Sequence, residues 1–197
     1  MIIRMMKALL ILLVCGMSEA FLVSCAADDN EFTRNVYCRF TFDTKIHNAS
    51  YLLNCINPMS TGMFCMVWQE SYGGVRIIQV QLNDGKTSDN NGKGNAITDK
   101  IEAKQPCTLG YGNNGLIIGC SSYNAQLYAF DRTCPNCYDS GQSRKLQWDN
   151  SGNWVKCNTC QRSYDLNNFG FVAKGESGRK LMRYLSTYTG AALIVNN

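Results

Sequence analysis

Two C-x-x-C pairs, Cys134-Pro135-Asn136-Cys137 and Cys157-Asn158-Thr159-Cys160, stand 19 residues apart and constrain this chain more than any other feature. A two-residue gap lets both sulfurs of one tight turn, or knuckle, reach a single metal ion. A second knuckle, brought alongside by a hairpin, completes a tetrahedral shell of four thiolates. Zinc or a single iron suits such a shell, and a [2Fe–2S] cluster also accepts four thiolates. In an oxidising compartment the same residues can instead pair as two disulfides and hold no metal. The turn Asp149-Asn150-Ser151-Gly152-Asn153 supplies the hairpin, with Trp148 and Trp154 on its flanks expected to pack the cysteine subdomain.

The rest of the mature chain reads as strands. Val36 to Phe42 alternates, Met63 to Trp68 is a continuous apolar run, and Val75 to Leu82 follows the turn Tyr72-Gly73-Gly74. Gly115 to Cys120 and Gln126 to Phe130 read as two strands joined across Ser121 to Ala125, and Leu193-Ile194-Val195 closes the chain. Residues 83–95 are polar and rich in Gly and Asn, which predicts an exposed loop or a ragged hairpin end. No stretch carries strong helical periodicity, so the expected class is all-β, with at most one or two short helices. Apolar content of 45% and charged content of 17% belong to a globular chain. The net charge of +4 comes from scattered bases, with no basic run or stripe, which argues against nucleic acid as a partner.

The first residues predict export. Arg4 and Lys7 precede an apolar run from Ala8 to Met17, too short to span a bilayer and laid out as a signal peptide. Leu22-Val23-Ser24-Cys25 then resembles the bacterial lipobox, which implies cleavage after residue 24 and lipid on Cys25. Two or more acyl chains, at about 0.8 kcal/mol per buried methylene, give lasting attachment. Ser18-Glu19-Ala20 offers a second possible cut, after Ala20. Ala26 to Glu31 is acidic and polar, so residues 25–33 read as a lipidated tether and 34–197 as the folded domain. The expected location is the bacterial cell envelope, anchored to a membrane, in the outer membrane and facing either the periplasm or the surface.

Eleven cysteines accompany a single histidine, His47. Cys15 belongs to the leader and Cys25 to the anchor. Cys38, Cys55, Cys65, Cys107 and Cys120 are irregularly spaced and fit buried thiols or one or two disulfides better than a second metal site. His47 lies in a polar stretch without a Cys or His neighbour and reads as a surface or turn residue.

The flanks of the knuckles carry a family likeness. Leu127-Tyr128-Ala129-Phe130-Asp131-Arg132-Thr133-Cys134-Pro135 resembles the strand and first cluster loop of Rieske domains. Cys157 to Leu166 resembles their second loop, and Gly170, Gly175, Leu181, Tyr184 and Leu193-Ile194-Val195 follow the family's ending in order and rough spacing. The likeness runs from about Gly115 to Val195. It implies a Rieske-like antiparallel β sandwich with a small, zinc-ribbon-like ligand subdomain at 131–166, here with an N-terminal β extension. Carried over residue by residue, Cys134 and Cys157 match the family's cluster cysteines, while Asn136 and Cys160 stand at its two histidine positions. Gln161 replaces the glycine after the second ligand. With no histidine after His47, a His2Cys2 centre cannot form in this region.

These observations predict a metal-binding envelope lipoprotein with Cys134, Cys137, Cys157 and Cys160 as ligands. Within that reading, a low-potential four-thiolate iron–sulfur carrier competes with structural zinc. The alternative is a redox-inert binding or scaffold lipoprotein stapled by disulfides. No Ser-His-Asp set, phosphate loop or carboxylate pair points to a catalytic site, so redox activity would mean electron transfer rather than turnover of a substrate.

Overall fold

The central strands are buried on both faces, and this explains why their sequences read as continuous apolar runs. The computed structural model describes residues 31–149 and 152–197. The leader 1–24, the lipid site at Cys25 and the tether as far as residue 30 lie outside the described residues, as do Asn150 and Ser151 at the tip of the expected hairpin. An eight-stranded antiparallel sheet runs in the order β1-β12-β11-β6-β5-β2-β3-β4. Its strands are β1 (Arg39–Asp43), β2 (Phe64–Tyr72), β3 (Val75–Leu82), β4 (Asn95–Ala96), β5 (Leu116–Cys120), β6 (Leu127–Asp131), β11 (Arg183–Tyr188) and β12 (Ala192–Asn196). A second antiparallel sheet, in the order β10-β9-β8-β7, takes in β7 (Gln147–Trp148), β8 (Trp154–Lys156), β9 (Ser163–Asp165) and β10 (Phe171–Lys174). The α-helices among the described residues span four residues each.

Successive side chains of a strand face opposite ways, and β2, β5 and β6 use both faces. Cys65, Val67, Leu116, Ile118 and Ala129 enter the larger core, with Phe40, Phe42, Leu52 and Leu193. Phe64, Met66, Ile117, Tyr128 and Phe130 enter a second core, with Val155, Tyr164, Leu166 and the cysteines 134, 137 and 157. Burying each such side chain contributes about 1.5–3 kcal/mol. The small sheet therefore rests on an aromatic platform built by the large one, and that platform carries the cysteine knuckles.

The expected all-β class is present, and the strands read from Val75, Gly115, Gln126 and Leu193 lie at or beside their predicted places. The hairpin of β5 and β6 pairs from Leu116↔Asp131 to Cys120↔Leu127. The N-terminal strands do not form a separate extension. Strand β2 pairs with β5 and β1 with the C-terminal β12, so both complete the one large sheet. Strand β11 was not predicted. Its first residues pair with β6 and its later ones with β12, so the sheet steps sideways there, and its exposed positions mix Leu185 and Tyr188 with Thr187. Residues 32 and 33, assigned to the tether, pack on β11, where the Thr33 N–H donates to the Arg183 carbonyl at 2.7 Å.

Residues 83–95 are exposed at their tip but pinned from below. Buried Asp89 accepts from the Tyr51 N–H at 2.7 Å and from Asn95 Nδ2 at 2.5 Å, and it also bonds the Ser50 hydroxyl. Asn90 and Asn91 take left-handed backbone conformations (φ 49° and 51°) that asparagine tolerates better than most residues.

Gly119 lies between Phe64 of β2 and Tyr128 of β6, directly opposite both. A Cβ at this position would stand 2.3 Å from the Met63 carbonyl oxygen and 2.5 Å from Phe64 Cδ1. Gly119→Ala is expected to cost about 1–3 kcal/mol through overpacking. The check is a lower urea midpoint with an unchanged slope; an unaltered midpoint would refute the close approach.

Candidate metal centre

Each knuckle is a closed turn that holds its two sulfurs on one side. The first follows β6. Pro135 occupies the first helical position, where its missing N–H costs nothing, and the Tyr138 N–H returns to the Cys134 carbonyl at 3.0 Å. Its base is tied down by the Cys134 N–H to the Arg144 carbonyl at 2.8 Å. The second knuckle is the turn between β8 and β9. The Gln161 N–H donates to the Cys157 carbonyl, and the Cys157 N–H to the Arg162 carbonyl, both at 2.9 Å. Gln161 takes φ +60°, the left-handed conformation for which the family's glycine is suited. The substitution noted in the sequence therefore leaves the turn intact.

The two knuckles meet. The sulfurs of Cys134, Cys137, Cys157 and Cys160 all lie within 4.8 Å of one another. Cys134 Sγ is 3.6 Å from Cys160 Sγ, and Cys137 Sγ is 3.7 Å from Cys157 Sγ. A disulfide needs about 2.05 Å, so none of the four is bonded, and all nine described cysteines are free thiols. The fold thus brings together the four residues predicted as ligands, in a cage that can hold a metal ion rather than as a two-disulfide staple. Cys134, Cys137 and Cys157 are buried, and Cys160 is half-exposed.

The neighbours of the cage were not assigned roles from the sequence. The Tyr164 hydroxyl lies 3.2 Å from Cys134 Sγ and accepts from Asn136 Nδ2 at 3.0 Å. Asn136, at a histidine position of the family, is turned to other work. It receives the Arg179 N–H at 2.9 Å and donates to the Arg179 carbonyl at 3.0 Å, clamping the 177–180 loop against the site. Gly178 permits that approach, because a Cβ there would stand 2.3 Å from Asn136 Oδ1. Arg162 lies beside Cys160 and places its charge near that sulfur, while its guanidinium is held by the Glu176 carbonyl at 2.9 Å, Glu176 Oε2 at 2.7 Å and the Ser177 carbonyl at 3.3 Å. A signal for Tyr164 and Arg162 does exist: they sit four and two residues beyond Cys160, Tyr164 within β9 and Arg162 just before it.

Electrostatics divide the thiols. Burial pushes Cys134 up to about 11, even against the hydrogen bond from Tyr164. Burial and the neighbouring Cys157 push Cys137 well above the usual thiol value. Burial also acts upward on Cys160, but the Arg162 N–H and guanidinium outweigh it and hold this thiol down to about 7.

A solved structure is similar to part of this chain. The cyanobacterial plasma membrane Rieske protein PetC3 from Synechocystis PCC 6803 aligns with 44% of this chain and 81% of its own, at 17% identity and a TM-score of 0.34. No protein-family model and no curated protein matches the chain.

The remaining predicted residues lie elsewhere. His47 Nε2 is 2.9 Å from Glu102 Oε2 and its ring stacks on Phe42, so it braces a turn. Cys38, Cys55, Cys65 and Cys120 are buried and Cys107 is half-buried. Burial pushes Cys38 up to about 12 and Cys120 up to about 11, as befits unreactive packing thiols. Trp148 packs against the second core as expected, and Lys174 Nζ sits 4.6 Å over the Trp154 ring.

Replacing Tyr164 by Phe removes the hydroxyl that bonds Cys134 and also takes one acceptor from Asn136 Nδ2. With metal bound and the thiolate charged, the expected loss is about 1.5–3 kcal/mol, seen as a lower denaturation midpoint and faster metal loss to a chelator. Equal chelator kinetics in variant and wild type would show that the hydroxyl does not support the cage.

Proposed function

We propose that this protein is a lipid-anchored cell-envelope protein whose β domain is cross-linked by one zinc ion on Cys134, Cys137, Cys157 and Cys160. The observation that carries the proposal is the sulfur spacing. Metal–sulfur bonds of about 2.3 Å at the tetrahedral angle set sulfurs roughly 3.8 Å apart, and the two cross-knuckle contacts are 3.6 and 3.7 Å. In a [2Fe–2S] unit the second iron spreads thiolates on different metals to about 5 Å or more. The 4.8 Å span of this cage favours a single ion over the cluster implied by the Rieske resemblance. Bound zinc supplies a tetrahedral link with no redox chemistry of its own. The residues around it do the rest: Tyr164 supports Cys134, Arg162 offsets charge at Cys160, and Asn136 ties the neighbouring loop over the site.

The anchor rests on the leader and on Leu22-Val23-Ser24-Cys25. Held to the membrane by Cys25, the domain acts as an envelope binding or scaffold module with a metal-braced tip. Metal content and visible absorbance of anaerobically purified full-length protein test the metal. Zinc at one ion per chain without visible bands is the expected result. Iron with acid-labile sulfide would replace zinc by a cluster, and iron alone would replace it by a mononuclear electron carrier. Labelled palmitate tests the anchor: it should enter the wild-type protein and not Cys25→Ser, and label retained by that variant would overturn the lipid site.

A further inference from the structure

We infer that the same cage is an oxidative modification site, at which a peroxide converts the four thiolates into two disulfides joining opposite knuckles, Cys134–Cys160 and Cys137–Cys157. The inference rests on the four-thiolate reading above and adds a second state to it.

Three observations carry it. Cys160 is the half-exposed member of the four, while its three partners are buried, so an oxidant arriving from solvent meets Cys160 first. The positive charge of Arg162, fixed by Glu176, lies beside Cys160 and can offset the charge that develops on the oxygen leaving the peroxide. Two close sulfur contacts run across the knuckles, at 3.6 Å for Cys134 with Cys160 and 3.7 Å for Cys137 with Cys157. Each pair therefore needs only a small approach to bond. The loops that these bonds close are long, with partners 26 and 20 residues apart, so each constrains the unfolded chain more than a bond within one C-x-x-C would.

The chemistry balances as follows. Cys160 attacks one oxygen of a peroxide, the O–O bond breaks, and the departing hydroxide takes a proton to become water, leaving Cys160 as a sulfenic acid. Cys134 sulfur then displaces that hydroxyl, which leaves as a second water once protonated, and the first S–S bond closes. A second peroxide does the same for Cys137 and Cys157. In sum, four thiolates, two molecules of hydrogen peroxide and four protons give two disulfides and four waters, with four electrons passing from sulfur to oxygen. An ion held by the four thiolates loses all its donors and is released. The knuckles stay joined throughout, first by metal and then by covalent bonds, so the subdomain keeps its connectivity as the ion departs.

The test treats full-length protein with hydrogen peroxide in two arms, one zinc-loaded and one reduced and stripped by a chelator. Free zinc is followed with a chromogenic chelator, and disulfides are mapped by peptide mass spectrometry. In the loaded arm one zinc should appear for every four thiols lost, with the pairs 134–160 and 137–157 in the map. Arg162→Ala should slow release about tenfold, while Arg39→Ala, a change at an exposed arginine of β1, should not. Bonds within a knuckle, 134–137 and 157–160, would overturn the inference, as would oxidation of Cys107 with the four thiols and zinc untouched. If the protein holds no zinc at all, the metal proposal fails separately. The stripped arm still judges the connectivity, and cross-knuckle pairs there uphold the modification site.

Discussion

Removing the metal from the cage is expected to lower the melting temperature of the domain by about 8–16 °C. Free zinc at about a thousand times its dissociation constant adds roughly 4 kcal/mol to folding, and a domain of this size shifts by about 2–4 °C per kcal/mol. The loss should concentrate in the small sheet, because β7 and β8 contribute two and three residues, and both knuckles flank them. Thermal unfolding with and without chelator measures the shift, and Cys157→Ser should reproduce it in the presence of zinc. An identical melting curve after chelation would mean that the aromatic platform alone holds the subdomain. The effect depends on pH in a fixed direction. Metal binds thiolates, and burial holds Cys134 at about 11 and Cys137 above the usual thiol value, so binding must expel their protons. Cys160, held near 7, adds a proton to that exchange only as pH falls through neutrality. Zinc should therefore be lost to a competing chelator more readily at pH 6 than at pH 8.

Phe130→Ala is expected to cost about 3–5 kcal/mol, the range for emptying a buried aromatic site. Phe130 is fully buried in the second core, tilted against Tyr128 with ring centroids 5.4 Å apart, and stands four residues before Cys134. Its partner across the strands is Ile117, on the same face of β5. The cavity would open beneath the first knuckle, so two measurements should move together. The urea midpoint should fall by about 1–5 M for a slope of 1–3 kcal/mol/M, and zinc should be held more weakly. A large loss of stability with unchanged zinc affinity would show that the cage is braced by its own hydrogen bonds and not by the platform.

Much of the fold is legible in the strands that use side-chain alternation or unbroken apolar runs. Met63 to Trp68 and Gly115 to Cys120 announce strands, but a continuous run does not say which side chain faces which core. That division appears only when a second sheet covers the outer face of β2, β5 and β6. Strand β11 escapes notice because its sequence, Arg183-Tyr184-Leu185-Ser186-Thr187-Tyr188, mixes exposed and buried positions while it passes from one neighbour to another. Residues 83–95 look like a free loop by composition, yet Asp89 is buried. Its partners Ser50 and Tyr51 lie some forty residues earlier, a distance at which no local pattern operates.

The site divides in the same way. Sequence alone determined which four residues could act together, because a two-residue gap forces two sulfurs onto one side of a turn and only two such gaps occur. It also determined that a histidine-ligated centre is excluded from this region, since no histidine follows His47. It left metal and disulfide undecided, because both use the same cysteines at the same spacing. Tertiary structure sets the sulfurs 3.6 and 3.7 Å apart across the knuckles and within 4.8 Å overall, unbonded here and close enough to share an ion. It also decided that Asn136 faces the Arg179 loop, that Tyr164 reaches Cys134, and that Arg162 lies against Cys160. The physical reason is range. Ligand spacing within a knuckle is fixed by the geometry of one turn, whereas the separation of two knuckles is fixed by the packing of one sheet on another, which no short stretch of sequence encodes.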